Sequence, residues 1–325
     1  MNNDKMRAVI CTKYGNPEAL KIEKIDKPKP KSNEILVKIF ATAVTSSDTY
    51  IRRLNVLPMF MQVIAGIFLG FGKPRNPVLG MIVSGEVEEI GDRVTRFKKG
   101  DKVFGTTVIN SIKMNFGTYA DYKCLPEYSN ISFKPINMDY IETASIAYGG
   151  SMALWCIEKI GFPHKNTNSA EGLKVLIYGA SGSVGTALVQ LTKSFGADVT
   201  GVCSTSNSEF VKSLGASRTI DYKREDFTNK GEKWDYIFDA VGYKKSKKYC
   251  KNYKRALMPN GRFHSVDNGS PKFNVEIFDF IKELAEKEAL KSVVDRTYSL
   301  EQIVEAHSYV DQGHKRGNVI IKVNI

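Results

Sequence analysis

The chain has 325 residues, 42% of them apolar and 25% charged. These are globular proportions that exclude wholesale disorder and fibrous or collagen-like architecture. At roughly 100–200 residues per domain, the length points to two domains with a sizeable core. The net charge of +12 favours an anionic partner, whether nucleic acid, a membrane surface or a phosphate-bearing cofactor, over acidic substrates of its own sign. The plainer reading of the same charge is a lysine-rich solvated surface.

The first third reads as β-structure. Ala8–Cys11 is a short apolar run, Gly15-Asn16-Pro17 a turn, and Pro28-Lys29-Pro30 breaks the chain before a strand over Glu34–Ile39. Further strands are expected over Met81–Ile90 and Lys102–Val108, each next to a Gly-Asp turn. Short strands separated by turn residues suggest a small barrel or sandwich.

Val56–Gly72 carries no charge but holds one proline and three glycines. At 17 residues it falls short of the roughly 20 apolar residues of a spanning helix. The reading favoured here is a flexible apolar segment near a substrate pocket. Membrane-surface contact and plain core packing are the alternatives.

From about Ile141 the texture changes. Ile141–Ile160 reads as a helix interrupted at Gly149-Gly150, and strand-like and helical stretches then alternate. The strands expected are Lys174–Tyr178, Asp198–Val202, Arg218–Ile220, Trp234–Phe238 and Arg262–Val266. Such alternation argues for a doubly wound parallel sheet. The tail, Gly317–Ile325, returns to β and is expected to rejoin the first domain after a helix over Leu300–Gln312.

Five cysteines, an odd number with no CxxC pair, argue against a disulfide framework or zinc knuckle and for a reducing compartment. The first residues lack the apolar core of a secretory signal, and a cytoplasmic location is expected.

The strongest chemical signal is the strand Lys174–Tyr178 followed by Gly179-Ala180-Ser181-Gly182-Ser183-Val184-Gly185 and a helix-periodic run. In a strand–turn–helix unit, Gly182 lets the backbone approach a pyrophosphate and Gly185 lets helix and strand pack closely. The helix N-terminus then offers amides and a partial positive charge to phosphate. After the next strand, where an NAD site places a carboxylate for the ribose, the chain has Cys203-Ser204-Thr205-Ser206-Asn207. Hydroxyls accommodate a 2′-phosphate that a carboxylate would repel, so NADP(H) is favoured over NAD(H).

Taken in order, Met6–Val9, Asp48–Arg52, Gly80–Gly91, Arg96–Val103, Gly179–Gly185, Leu214–Ala216, Ile220–Tyr222 and Phe238–Gly242 make the chain resemble the medium-chain dehydrogenase/reductase superfamily. The resemblance is to its zinc-free, quinone-oxidoreductase-like branch. It implies an α/β fold, with a GroES-like β-barrel domain (1–135 and 290–325) plus a Rossmann doubly wound parallel-sheet domain (136–289). NADPH would meet substrate in a cleft.

By this resemblance Ser181, Gly182, Ser183, Val184, Ser204, Thr205, Ser206, Tyr222, Asp239, Val241, Gly242, His264, Ser265 and Val266 are expected at the cofactor. Thr45, Asp48, Tyr50 and Arg52 would form the polar wall of the substrate site. No zinc is expected. Ala43–Asp48 and Gly80-Met81-Ile82 supply no thiolate or imidazole where zinc-dependent relatives carry their ligands, and the cysteine-rich lobe is missing. A homodimer is usual in relatives, with Phe273–Phe280 a candidate apolar edge.

Without a Lewis acid an alkoxide lacks stabilisation. The reaction expected is therefore hydride transfer from NADPH to an apolar quinone or α,β-unsaturated carbonyl (enone or enal). Tyr50 is the first candidate donor to the developing oxyanion, Arg52 its electrostatic support and Tyr148 a second donor. Two rival readings stand beside this. One is an NADPH-binding sensor or structural protein with little turnover, favoured by Thr45 for the usual Asn and Met152 for a common Thr. The other is nucleic-acid binding through the basic, tyrosine-bearing segment 244–255. A solvated helix face is the better account of that segment, and no nucleic acid is expected as a partner.

Overall fold

The computed structural model describes residues 4–54, 59–108, 115–164, 168–229, 231–243, 246, 252–269 and 271–325. The basic segment 244–255 and the start of the apolar run, 56–58, therefore lie largely or wholly outside the described residues. The chain divides into two units. One comprises Met1–Tyr148, Phe273–Glu283 and Val294–Ile325, the other Gly149–Lys272 and Leu284–Val293.

In the first unit β1 (Lys5–Cys11) and β2 (Leu20–Asp26) form an antiparallel pair. The main sheet is built around β3 (Glu34–Val44), whose long alternation of buried aliphatics gives it partners on both edges. It pairs with β4 (Ile82–Ile90), β6 (Tyr122–Pro126) and, at the other end, β14 (Asn318–Lys322). The path runs β13-β14-β3-β4-β5-β7, with β5 at Lys102–Thr106, β7 at Ile131–Phe133 and β13 at Val294–Ser299. The tail thus rejoins β3, as expected, and has a parallel neighbour in β13 that the sequence did not reveal.

Short helices flank this sheet: α1 (Ser46–Arg52) and α2 (Met59–Leu69). The core gathers Val9, Ile35, Val37, Ile39, Val83 and Ile321, all fully buried. Phe273, Ile277 and Phe278 are buried too, with Phe278 edge-on to Phe104 at 5.9 Å. Asn274, Glu276 and Asp279 of the same segment are exposed, and Val275 and Phe280 are half-buried.

The chain passes to the second unit inside α3 (Tyr140–Ile160). This helix runs unbroken through Gly149-Gly150, contrary to expectation. A Cβ at Gly149 would lie 2.5 Å from the Ser183 carbonyl oxygen, so close approach rather than a break accounts for that glycine. The second unit is a parallel sheet ordered β10-β9-β8-β11-β12, with β8 Lys174–Tyr178, β9 Asp198–Cys203, β10 Arg218–Asp221, β11 Trp234–Asp239 and β12 Leu257–Ser265. In chain order this is 3-2-1-4-5, so the order reverses between β8 and β11. Ligands of such sheets bind outside the strand carboxyl ends at that point. The helices α4 (Ser183–Ser194) and α5 (Ser208–Ser213) connect its first three strands. Further along the chain come α6 (Val275–Glu286) and α7 (Ile303–Asp311).

One side chain ties the ends of the first unit together. The Arg7 guanidinium donates to Asp121 (2.8 Å), Glu301 (2.7 Å) and the Val323 carbonyl (2.8 Å). Replacing Arg7 by Met is expected to cost about 1–2 kcal/mol, the range of charge-assisted bonds discounted for partial solvent exposure. The denaturant midpoint measures this, and an unchanged midpoint would contradict the role.

Candidate active site

The turn leaving β8 stands at the sheet's reversal point. A Cβ on Gly185 would fall 2.1 Å from the Gly179 carbonyl oxygen, so only glycine permits α4 to start this close to β8. Gly182 is the N-cap of α4 and makes no side-chain cap bond. A Cβ built there meets only the Gly179 oxygen, at 3.6 Å. The turn therefore keeps an open face above the helix N-terminus, the environment a diphosphate needs. Ser181 and Ser183 are half-buried beside it, Val184 is buried in the first turn, and Ser181 Oγ accepts from Asn207 Nδ2 at 3.1 Å.

At the end of β9, Ser204 and Ser206 bring their hydroxyls to 3.1 Å of each other. Thr205 lies between them and is held by Asp221, which it meets through its hydroxyl and, at 3.2 Å, its amide. Asp221 ends β10 opposite Cys203, and the Thr205 hydroxyl together with the Lys223 and Thr205 amides holds its carboxyl below the usual range. Tyr222 is half-buried with its ring 6.3 Å from Tyr178. The fold thus brings Ser204, Thr205, Ser206 and Tyr222 to one corner, and adds Asn207 and a carboxylate the sequence reading missed. Asp221 was not legible there because its bond to Thr205 is made only once β10 pairs with β9.

The residues at the ends of β11 and β12 have other duties than direct contact. Asp239 is buried and accepts four bonds: the Val241 and Gly242 amides (both 3.1 Å), Ser246 Oγ (2.8 Å) and Ser265 Oγ (2.9 Å). Two carboxylate oxygens with two bonds each are saturated. Asp239 and Ser265 therefore shape the loop carrying Val241 and Gly242 rather than offering atoms to a ribose. Val266 is fixed by its amide to the Asp239 carbonyl, 3.0 Å. His264 is buried edge-on against Trp155, ring centroids 5.0 Å apart. Burial, aided by Lys159, holds it below the ordinary histidine range.

In the first unit, Thr45 caps α1. Its amide and hydroxyl donate to Asp48 Oδ2 at 2.8 and 2.6 Å, and the Asp48 amide returns to Thr45 Oγ1 at 3.3 Å, a reciprocal capping box. Both are buried, and so is Arg52. The Arg52 guanidinium donates to His307 Nδ1 (3.2 Å), the Gly15 carbonyl (2.7 Å) and Asp311. Thr45, Asp48 and Arg52, expected at the substrate wall, have their polar atoms turned into the protein and form a framework behind α1.

Hydroxyls nearer the surface belong to Ser46, which is exposed, to Tyr50, 55% exposed, and to half-buried Ser47 and Tyr148, which lie 3.1 Å apart. Ser47 and Tyr50, three residues apart, share a face of α1. Sequence reasoning passed over Ser47, His307 and Asp311, although the last two stand at i and i+4 on one helix. Within the stretches Ala43–Asp48 and Gly80–Ile82, compared above with the zinc ligands of relatives, Thr45 and Met81 are buried. Among the described residues no group of three or more His, Cys, Asp or Glu is arranged to hold a metal ion.

With this geometry in view, two family descriptions match the chain: an alcohol dehydrogenase GroES-like domain over residues 31–135 and a zinc-binding dehydrogenase domain over 183–306. The chain is 31% identical to a 2-methylene-furan-3-one reductase of Solanum lycopersicum, over 98% of this chain and 79% of that protein. It is 28% identical to a chloroplastic NADPH-dependent alkenal/one oxidoreductase of Arabidopsis thaliana, with the same coverage. Among solved structures it resembles the quinone oxidoreductase from Coxiella burnetii, with a TM-score of 0.79, 25% identity, and 98% and 100% of the two chains covered.

The buried groups behind α1 have opposed responses to pH. Burial pushes the Asp48 carboxyl up to about 6 from 3.8. Folding therefore holds its proton, and that contribution to stability is lost as pH rises through about 6. Burial beside the Arg52 guanidinium pushes His307 down to about 3 from 6.5. Its contribution is present above 6.5 and is lost as pH falls toward 3. Between about 4 and 6 the two slopes oppose. Asp48→Asn is expected to raise stability at pH 7, by on the order of 1–3 kcal/mol, and to make the loss below pH 6.5 steeper than in the parent. Urea melts across pH measure this, and superimposable curves would contradict it.

Proposed function

The chain belongs to the medium-chain dehydrogenase/reductase superfamily, in its quinone-oxidoreductase-like branch, and on that premise we propose that this oxidoreductase is a zinc-independent, NADPH-dependent reductase of quinones or α,β-unsaturated carbonyls. The observation that carries the reading is the glycine turn after β8. Its open face at Gly182 and its close approach at Gly185 leave room for a diphosphate at a helix start. Hydride supply is the bound cofactor's part of the chemistry.

The second unit's own residues bind and orient. The turn 179–185 would hold the diphosphate, and Ser204, Ser206 and Tyr222 the 2′-phosphate corner, where the Asp221 carboxylate is engaged by the Thr205 hydroxyl and the Lys223 amide; Val241 and Gly242 would line the nicotinamide side of the site, braced by Asp239. The first unit's part is polar. As hydride arrives at an acceptor, charge grows on its carbonyl oxygen, and a hydroxyl within hydrogen-bond reach lowers that cost. Tyr50 is the first choice, because its ring stands out from α1 while the framework behind it is fixed. The Ser47–Tyr148 pair is the second. The absence of a thiolate or imidazole from Ala43–Asp48 and Gly80–Ile82 supports a metal-free reaction, which suits acceptors already activated for hydride attack. The names of the relatives, an enone reductase and an alkenal/one oxidoreductase, agree with that acceptor class.

Loss of NADPH absorbance with a panel of quinones and enones tests the reading. Turnover with at least one of them, unaffected by a chelator, is expected. No turnover with any acceptor would overturn it, and loss of activity on chelation would overturn the metal-free part. Tyr50→Phe is expected to lower kcat by about tenfold or more on the best acceptor, and unchanged kcat would remove Tyr50 from the mechanism.

A further inference from the structure

The helix α2 is turned inside out. Met59, Val63, Ile64, Ile67 and Phe68, with Phe71 just beyond its end, are each between 50% and 81% exposed. At about 100° per residue the five helical positions fall within one half of the helix surface. Leu69 is half-buried against the unit's core, while Gly66, on the side of Met59 and Val63, is covered by the Phe71 ring, which a Cβ there would meet at 2.6 Å. An apolar face of this size normally turns inward.

The helix is also tethered in this orientation. The Tyr14 hydroxyl lies 3.0 and 3.1 Å from the Leu69 and Gly70 carbonyls, the Tyr14 amide donates to the Gly72 carbonyl at 3.0 Å, and the Arg75 amide to that of Leu69 at 2.7 Å. The anchored end is ringed by exposed cations. Lys73 and Arg75 follow the helix, and Lys13 adjoins Tyr14. No Asp or Glu occurs anywhere from Thr49 to Gly85.

We propose that the exposed face of α2 is a docking surface for an anionic phospholipid bilayer, on which the helix lies in the plane of the interface. Eleven residues at about 1.5 Å each reach roughly half of the ~30 Å hydrocarbon thickness, so the helix is too short to cross. Among the described residues no helix is long and apolar enough to span. The apolar side chains enter the acyl boundary while Lys13, Lys73 and Arg75 meet lipid phosphates. Charge selects this occupant over a second copy of the chain. The stretch from Thr49 to Gly85 offers a partner copy no carboxylate to answer the basic rim, whereas a phospholipid surface answers it throughout. The proposal does not rest on the reductase reading. If both hold, the enzyme works where apolar quinones and enones partition.

Co-sedimentation of the full chain, with NADPH present, on vesicles of phosphatidylcholine alone and of phosphatidylcholine with phosphatidylglycerol tests it without reference to turnover. Binding to the mixed vesicles that weakens with added salt is expected. Ile64→Glu with Phe68→Glu is expected to reduce it by about tenfold or more, with the circular dichroism spectrum and melting midpoint unchanged. Lys73→Glu with Arg75→Glu is expected to abolish the preference for phosphatidylglycerol. The proposal is overturned if the parent stays in the supernatant with both vesicles. It is equally overturned if sedimentation velocity reveals a parent dimer that the Ile64→Glu, Phe68→Glu chain no longer forms, which would assign the face to a second copy.

Discussion

The seating of α4 on the end of β8 is the constraint on which the second unit depends. With a Cβ position at residue 185 only 2.1 Å from the Gly179 oxygen, any side chain there would push helix from strand and close the gap over Gly182. The parallel order 3-2-1-4-5 makes this the one turn of the sheet at which neighbouring connections diverge, because β9 and β11 flank β8 and lead away from it. Backbone approach, helix dipole and topology therefore converge at one place. Asp239 serves the same end from the neighbouring strand. By gathering two amides and two serine hydroxyls it fixes the loop that borders the turn.

The first unit solves a different problem. The helix α1 has seven residues, too few to be stable by itself, yet it carries Ser47 and Tyr50. Its start is locked by the Thr45–Asp48 box and its end by Arg52, whose guanidinium spans to the Gly15 carbonyl, His307 and Asp311. A fully buried guanidinium is tolerated only when paired and hydrogen-bonded, and the Asp311 carboxylate, itself shared with Arg53 at 3.5 Å, supplies the pairing. Charges that resemble catalytic equipment in the sequence thus act as framework behind the hydroxyls of Ser47 and Tyr50.

Much of this was legible before any coordinates, and the legible part is local. Lys174–Tyr178 and the glycine spacing after it identify strand, turn and helix start because each signal lies within a few residues of the next. The same holds for the strands at 198, 218 and 234. What escaped is set by distant partners. Leu20–Asp26 and Val294–Ser299 have few buried side chains and become strands through the neighbours they pair with. The role of Arg52 depends on residues 255 and 259 positions away, and that of Asp221 on a loop contributed by the preceding strand. Motif position alone says nothing of the burial of Asp48, Arg52 and His264 or of the four bonds that Asp239 accepts. The outward face of α2 escaped for the same reason. Its sequence reads as apolar throughout, and only the fold decides which side is left outward.

The claim beneath the account is that a diphosphate rests on the open face at Gly182. Fluorescence titration of NADPH into the parent chain and into Gly182→Asp addresses it directly. Aspartate is a favourable N-cap residue, so α4 is expected to keep its stability while its carboxylate occupies and repels the anion's position. The expected result is saturable binding to the parent, weakened by about tenfold or more in the variant, with equal melting midpoints. A parent chain that binds neither NADPH nor NADH, or a variant that binds as tightly as the parent, would contradict the account.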